Sequence, residues 1–187
     1  MTILKNMAAL AALVLFVNGL GAQCTTWDQI PNKGEAEDAH VVYRPYLKGK
    51  TAQDVAALSE GDFNLAFTNW QKAYGLAPAA DGQRPTHYID GILLYQAKVQ
   101  KTTDQAQQVE FGNTIVKLYD EYLNCYPDDR KLILGRKAFD MFYSPAFGYQ
   151  ESTLEALKAA INEAGNDAEY ILLDPLGLVL VYCMETN

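Results

Sequence analysis

The chain has 187 residues, of which 49% are hydrophobic, and carries 15 Lys and Arg against 23 Asp and Glu, a formal charge of −8. It is long enough for one domain with a substantial core. It is too acidic, and too poor in basic clusters, to suit nucleic acid, whose phosphates are held by Lys and Arg.

The first 22 residues read as a secretory signal peptide. Lys5 gives a positive start, "MAALAALVLFV" (Met7 to Val17) an apolar core, and "GLGA" small residues before cleavage between Ala22 and Gln23. That core is shorter than the roughly 18 apolar residues of a spanning helix, so an uncleaved anchor is the weaker alternative and no integral membrane segment is expected after cleavage. Removing 22 of the 187 residues leaves 165, in which 14 basic residues stand against 23 acidic ones. Cys24 sits close to the cleavage site, as a lipid-anchored cysteine would, but Gln23 stands where such signals want a small residue. Three cysteines, Cys24, Cys125 and Cys183, are too few and too scattered for a zinc site or a disulfide scaffold. Export lets them oxidise, an odd number cannot all pair, and Cys125 and Cys183 read as apolar packing residues. The expected location is periplasmic, outer-membrane-associated or extracellular.

Residues 23–50 form the next unit. "CTTWDQIPNKGEAEDAHVVYRPYLKGK" (Cys24 to Lys50) contains Pro31, Gly34, Pro45 and Gly49 and keeps no period. This predicts an irregular N-terminal arm, with at most a short extended or helical piece around His40 to Tyr46. From Thr51 the pattern turns helical, and residues 51–187 read as one helical-repeat domain, incomplete at its C-terminus on one reading.

"TAQD" offers Thr51 as N-cap with Asp54 in the first turn. Phe63, Ala66, Phe67, Trp70, Ala73, Tyr74 and Ala77 then trace one face of a 3.6-residue helix. Gly61 either separates this helix from the one before or is a costly interior glycine. "APAADGQRP" (Ala77 to Pro85) is a turn. A helix over His87 to Gln100 carries Tyr88, Ile92, Tyr95 and Val99. "KTTDQ" breaks it, with Thr102 or Thr103 as cap. A long helix to Tyr126 follows, with Phe111, Ile115, Leu118, Tyr119, Tyr122 and Tyr126 on its face. Pro127, Asp128 and Asp129 introduce a helix over Arg130 to Tyr143 bearing Leu132, Phe139, Phe142 and Tyr143, stopped by Ser144-Pro145. "STLEALKAAINEAGN" opens with Ser152 and Glu155 in capping-box spacing and closes at Gly165-Asn166. Asp174 and Pro175 suit the start of a last helix, in which "LGLVLVYCM" (Leu176 to Met184) is apolar on every side; an extended strand is the competing reading. Such a segment needs cover all round. It implies self-association, burial against another chain, or truncation of a longer family member.

With no convincing strand, the class is all-α. Two phrases, "WQKAYGLAP" (Trp70 to Pro78) and "YDEYLNCYP" (Tyr119 to Pro127), lie 49 residues apart and share an aromatic opening, a helical apolar period and a closing Pro. Helix–turn–helix units of this kind bury their faces by stacking as a short solenoid with a concave groove. "FNLAFTNWQKAYGLAP" resembles the second half of a tetratricopeptide repeat, with Ala66 and Ala73 at the close approach, Tyr74 as packing aromatic and Pro78 as terminator; "NTIVKLYDEYLNCYPDD" matches more loosely. The usual repeat is about 34 residues, so the likeness, over about Thr51 to Gly165, is to a degenerate relative. The layout also looks like exported tetratricopeptide-like proteins of the Bacteroidota. That resemblance implies a non-catalytic interaction scaffold at the cell envelope and transfers no catalytic residues.

The residues themselves offer no catalytic, cofactor or metal site. His87 and Asp90 share a helix face, but only two histidines exist, without HExxH or a second ligand pair. "EAEDAH" (Glu35 to His40) lacks calcium-loop spacing and reads as a solvated stretch. Asp120-Glu121 reads as the outward face of a helix and Asp128-Asp129 as caps, rather than as a carboxylate pair for glycoside hydrolysis. Ser59, Ser144 and Ser152 lack a nucleophile elbow. Tyr74, Tyr95, Tyr119 and Tyr122 read as core by spacing, and as groove contacts if they face the concave side. The expected function is a protein- or peptide-binding scaffold with an aromatic floor and an acidic rim favouring basic or extended partners. A secreted all-helical carbohydrate-active hydrolase or lyase, and a purely structural envelope component, are the alternatives.

Overall fold

A computed structural model describes residues 24–186; the signal-peptide and cleavage readings lie outside the described residues. Among the described residues there are eight α-helices and no strand, as the all-α expectation requires. They are α1 (Lys33–Leu47), α2 (Ala52–Ala56), α3 (Glu60–Leu76), α4 (Thr86–Lys101), α5 (Gln105–Cys125), α6 (Arg130–Tyr143), α7 (Glu151–Ala164) and α8 (Leu173–Thr186). None is long and apolar enough to cross a membrane.

The first correction concerns the irregular arm, most of which is α1. Ala36, Ala39, Tyr43 and Leu47 are buried at three- and four-residue spacing, so the helix has a core face, half of it alanine and therefore faint in hydropathy. Gly34 falls in the first turn, and Pro45 lies inside the helix two residues before its end, so it forfeits one intrahelical hydrogen bond without breaking the helix. The Glu35 to His40 stretch is therefore part of a packed helix, with Glu35 paired to Lys72 at 2.9 Å.

Local caps set the other boundaries. The Thr51 hydroxyl accepts from the Asp54 N–H while the Asp54 carboxylate accepts from the Thr51 N–H, the expected start of α2. Ser59 caps α3, so Gly61 lies in its first turn rather than between helices. Asp104, not Thr102 or Thr103, caps α5 by accepting from the Ala106 and Gln107 N–H groups. The Ser152–Glu155 capping box does not form: α7 begins at Glu151, Ser152 is exposed, and Glu155 pairs with Lys158. Gly165, at φ 59°, ends α7 as the sequence suggests. The last segment is helix rather than strand and starts at Leu173, which puts Asp174 and Pro175 inside its first turn.

The helices pack in successive pairs: α1 on α3, α4 on α5 across the short link 102–104, and α6 on α7, with α8 against α7. Helices α2 and α3 touch α4, and α5 touches α6, joining the pairs. Side chains bridge neighbouring pairs at a nearly constant interval. The hydroxyls of Tyr43, Tyr74 and Tyr126 reach Asp90, Glu121 and the Ala79 carbonyl, each 47 residues away, and Gln96 reaches Asp140, 44 residues on.

One core cluster spans α1 to α5 with Ile133 of α6; a second, smaller one joins α6, α7 and α8. The face expected for α6 is shifted. Leu132 and Tyr143 are exposed, and Ile133, Ala138 and Met141 are buried instead. On α8 only Pro175 and Val179 are buried, while Leu178, Leu180, Val181, Tyr182 and Met184 face outward.

Candidate functional site

A cleft of about 420 Å³ opens between α4 and α6. Ile89, Ile92 and Leu93 of α4 form one wall, Ile133 and Phe139 of α6 the other, and Ile171 flanks them. Tyr119 and Tyr122 of α5 line it. Ile89 and Ile171 are 43% and 40% exposed, so apolar side chains face solvent at its mouth.

The polar centre of this cleft is Asp140, whose Oδ2 accepts from the Tyr119 hydroxyl at 2.6 Å and from the Gln96 amide at 2.7 Å. Burial raises the Asp140 carboxyl above its ordinary range, opposed by those two hydrogen bonds and by the Arg136 guanidinium. Burial first, and then the Asp140 charge, pushes the Tyr119 phenol well up, so it stays protonated and donating. Gln96 and Asp140 also line a second hollow of about 310 Å³, with Val99, Ile115, Met141 and Phe147. Gln96 and Asp140 therefore stand in the lining of both hollows. Lys50, Arg136, Asp140 and Glu169 line the cleft, so its charge is mixed where the sequence predicts an acidic rim.

The four candidate tyrosines do not share a surface. Tyr119 and Tyr122 are 5% and 4% exposed and present little more than an edge to the cleft; the Tyr122 hydroxyl donates to Asp129 at 2.8 Å. Tyr74 stacks on Trp70 and donates to Glu121. Tyr95 is held among Phe67, Trp70 and Phe111.

The carboxylate pairs weighed in the sequence are engaged elsewhere. Asp120 pairs with Lys137 at 2.5 Å. Glu121 is buried rather than outward-facing, because Tyr74 from the preceding helix pair supplies a donor. Asp129 precedes α6, but its side chain accepts from Tyr122 rather than capping backbone.

A second polar cluster joins α1 to α4 and was only half legible. His87 and Asp90 are buried, as neighbours on α4, and α1 adds His40, Tyr43 and Arg44. His40 and His87 lie 3.0 Å apart through Nδ1 and Nε2. Asp90 accepts from Tyr43 at 3.0 Å and from Arg44 at 3.1 Å. Burial pushes its carboxyl up to about 6 despite those donors, and burial holds His87 down to about 4. Trp27 meets both imidazoles edge-on. No group of three or more His, Cys, Asp or Glu is placed to hold a metal among the described residues.

Cys24 and Cys125 form a disulfide, so Cys125 is not simply a packing residue. The bond also occupies the thiol that a lipid anchor at Cys24 would need. Cys183 stands outside it on α8, its sulfur 3.7 Å from the Tyr149 carbonyl. No family model matches the chain, and neither a curated protein nor a solved structure matches it significantly.

Proposed function

We propose that the protein is a non-catalytic binding module of the cell envelope or the secreted space, and that the cleft between α4 and α6 receives an apolar segment of a protein or peptide partner. The observation that carries this reading is the cleft itself. Apolar walls open to solvent through Ile89 and Ile171, around a fixed polar centre at Asp140. Binding sites commonly combine mostly apolar walls with a few oriented polar groups. The three helix pairs are read as a short tetratricopeptide-like stack. The bridges from Tyr43 and Tyr74 between the first and second pairs, and from Gln96 to Asp140 between the second and third, support that arrangement, and the disulfide supports an oxidising, exported setting. The mixed charge of the cleft favours no basic partner, which narrows the expectation to an extended or apolar segment.

The test is affinity capture from envelope extract by the wild type and by an Ile89→Glu, Ile171→Glu variant. Both side chains are exposed, so the variant should keep its helical content and melting temperature. One stoichiometric partner, retained by the wild type and lost by the variant, with no turnover on a glycan panel, supports the reading. A partner held equally by both, or turnover, overturns it. The bare face of α8 favours self-association as a second reading, and light scattering of the same preparation tests it: a monodisperse monomer counts against it.

A further inference from the structure

The chain's only two histidines, 47 residues apart in sequence, meet in one hydrogen bond at the seam between the first and second helix pairs. The proton positions follow from their partners. The Ala77 carbonyl, 2.7 Å from His87 Nδ1, can only accept, so that nitrogen carries the proton and the neutral ring leaves Nε2 bare. His40 must then donate from Nδ1, whose hydrogen is shared with the Tyr43 oxygen at 3.2 Å. Tyr43 sends its own hydrogen to Asp90 Oδ2. Every hydrogen across the seam is placed with both rings neutral.

We propose that the His40–His87 contact is an acid-sensitive latch that holds α1 and the N-terminal segment against α4. The first added proton goes to the other nitrogen of His40, against burial, Arg44 and Arg84, and leaves the Nδ1–H donating to His87. A second puts two cations 3.0 Å apart beneath Trp27 and beside Arg44. The segment that would lift carries Trp27, whose N–H donates to the Ala80 carbonyl, and the Ala79 N–H donates to the Thr25 carbonyl. Because Cys24 is bonded to Cys125, the opened segment stays tethered to α5 and can close again.

The charges facing the pair set the sign. Burial, then Arg44 and Arg84, lower His40; burial lowers His87, the Ala77 bond opposes, and His40 and Arg44 add to the lowering; Asp81 opposes on both rings. An opened state with imidazoles near their ordinary 6.5 binds more protons than the closed one, so opening gains as pH falls from about 6.5 towards about 4. Asp90 acts the other way. Its raised carboxyl takes a proton in the closed state first, which favours closure as pH falls from about 6 towards 3.8.

Hydrogen exchange of the oxidised full chain at pH 7 and pH 5, corrected for intrinsic rates, tests this. In the wild type, protection over residues 25–47 should fall several-fold on acidification while residues 151–164 hold. Asp90→Asn removes the counterweight and should deepen the fall by about tenfold per unshared proton and pH unit. His87→Asn keeps a donor for the Ala77 carbonyl and should shrink the fall to the share that His40 contributes. An equal fall in His87→Asn, or undiminished protection of residues 25–47 in the wild type at pH 5, overturns the latch. If His87→Asn does not fold, ring titration of the wild type decides. Both imidazoles neutral at pH 6, with the proton of His87 on Nδ1, upholds it, and ordinary titration near 6.5 overturns it.

Discussion

The core of α1 to α5 and the core of α6 to α8 are built on different terms. The first is aromatic: Tyr43, Trp70, Tyr88, Tyr119 and Tyr122 are buried in it. Its phenols reach across helices to Asp90, Asp140 and Asp129, and the Trp70 indole donates to the His87 carbonyl. The second is aliphatic, with Leu154, Leu157, Leu172 and Val179 around two alanines, and its outer helix leaves most of its apolar surface bare. An aromatic ring with a polar tip brings both apolar area and a directional bond. The first core is therefore specified in register by buried hydrogen bonds, whereas the directional contacts between α6 and α7, such as Arg130 to Glu163, lie on the surface.

The largest expected effect lies in the disulfide, which ties the N-terminal segment to the end of α5 within the first core. It closes a sequence separation of 101 residues, for which the chain-entropy treatment gives about 4.7 kcal/mol and native bridges usually deliver 2–4 kcal/mol. At roughly 2–4 °C per kcal/mol for a chain of this size, reduction or Cys24→Ser should lower the melting temperature by about 5–15 °C. Calorimetry of oxidised and reduced protein checks it, and hydrogen exchange should place the loss in α1 to α5. Equal melting of the two forms would remove the disulfide from what distinguishes the cores.

A smaller effect compares one substitution in both regions. At Gly91 of α4 an added Cβ would lie 2.3 Å from Trp70 Cζ2 and 3.1 Å from Leu118 Cδ1. The indole cannot swing aside without losing its bond to the His87 carbonyl at 2.8 Å. Overpacking of this kind costs about 1–3 kcal/mol, against a gain of about 1 kcal/mol from replacing a helical glycine by Ala. Gly177 of α8 has nothing within 4 Å of its Cβ position, so there only the gain applies. Gly91→Ala should lower stability to urea and Gly177→Ala should raise it. The same sign at both sites would show that the two cores are equally tolerant.

Local signals in the sequence were legible where one segment contained the whole cause. The Thr51–Asp54 box and the Gly165 stop depend on neighbours within a few residues, and both are where the pattern puts them. The face of Phe63, Ala66, Trp70 and Ala73 was equally plain, since its period needs no partner to be seen. Helix α1 was hidden because its buried face includes two alanines and because Gly34 and Pro45 inside it, with Pro31 and Gly49 just outside, look like breakers. Glu121 illustrates the deeper limit. A carboxylate on a helix reads as outward unless a donor 47 residues away, here Tyr74, meets it inside. The same distance separates His40 from His87, and the disulfide spans more than twice that. Asp140, the centre of the cleft, likewise gains its setting only from Gln96 and Tyr119 on other helices.

The smallest effect is a gain, and it belongs to the second core. Thr153 is fully buried near the start of α7, and its hydroxyl has no hydrogen-bond partner, although its backbone N–H is satisfied by the Gln150 carbonyl. The first core gives its buried phenols partners, carboxylates for Tyr43, Tyr119 and Tyr122 and the Cys125 sulfur for Tyr88; here a hydroxyl gives up water for nothing. Leaving such a group unmade costs about 1–3 kcal/mol, and Val offers nearly the same shape with a methyl in its place. Thr153→Val should therefore stabilise the protein by about 1 kcal/mol, seen as a rise of roughly 2–4 °C in melting temperature with unchanged helical content. A fall of the same size would mean that the hydroxyl is satisfied in solution, and the second core would then share the polar specification that marks the first.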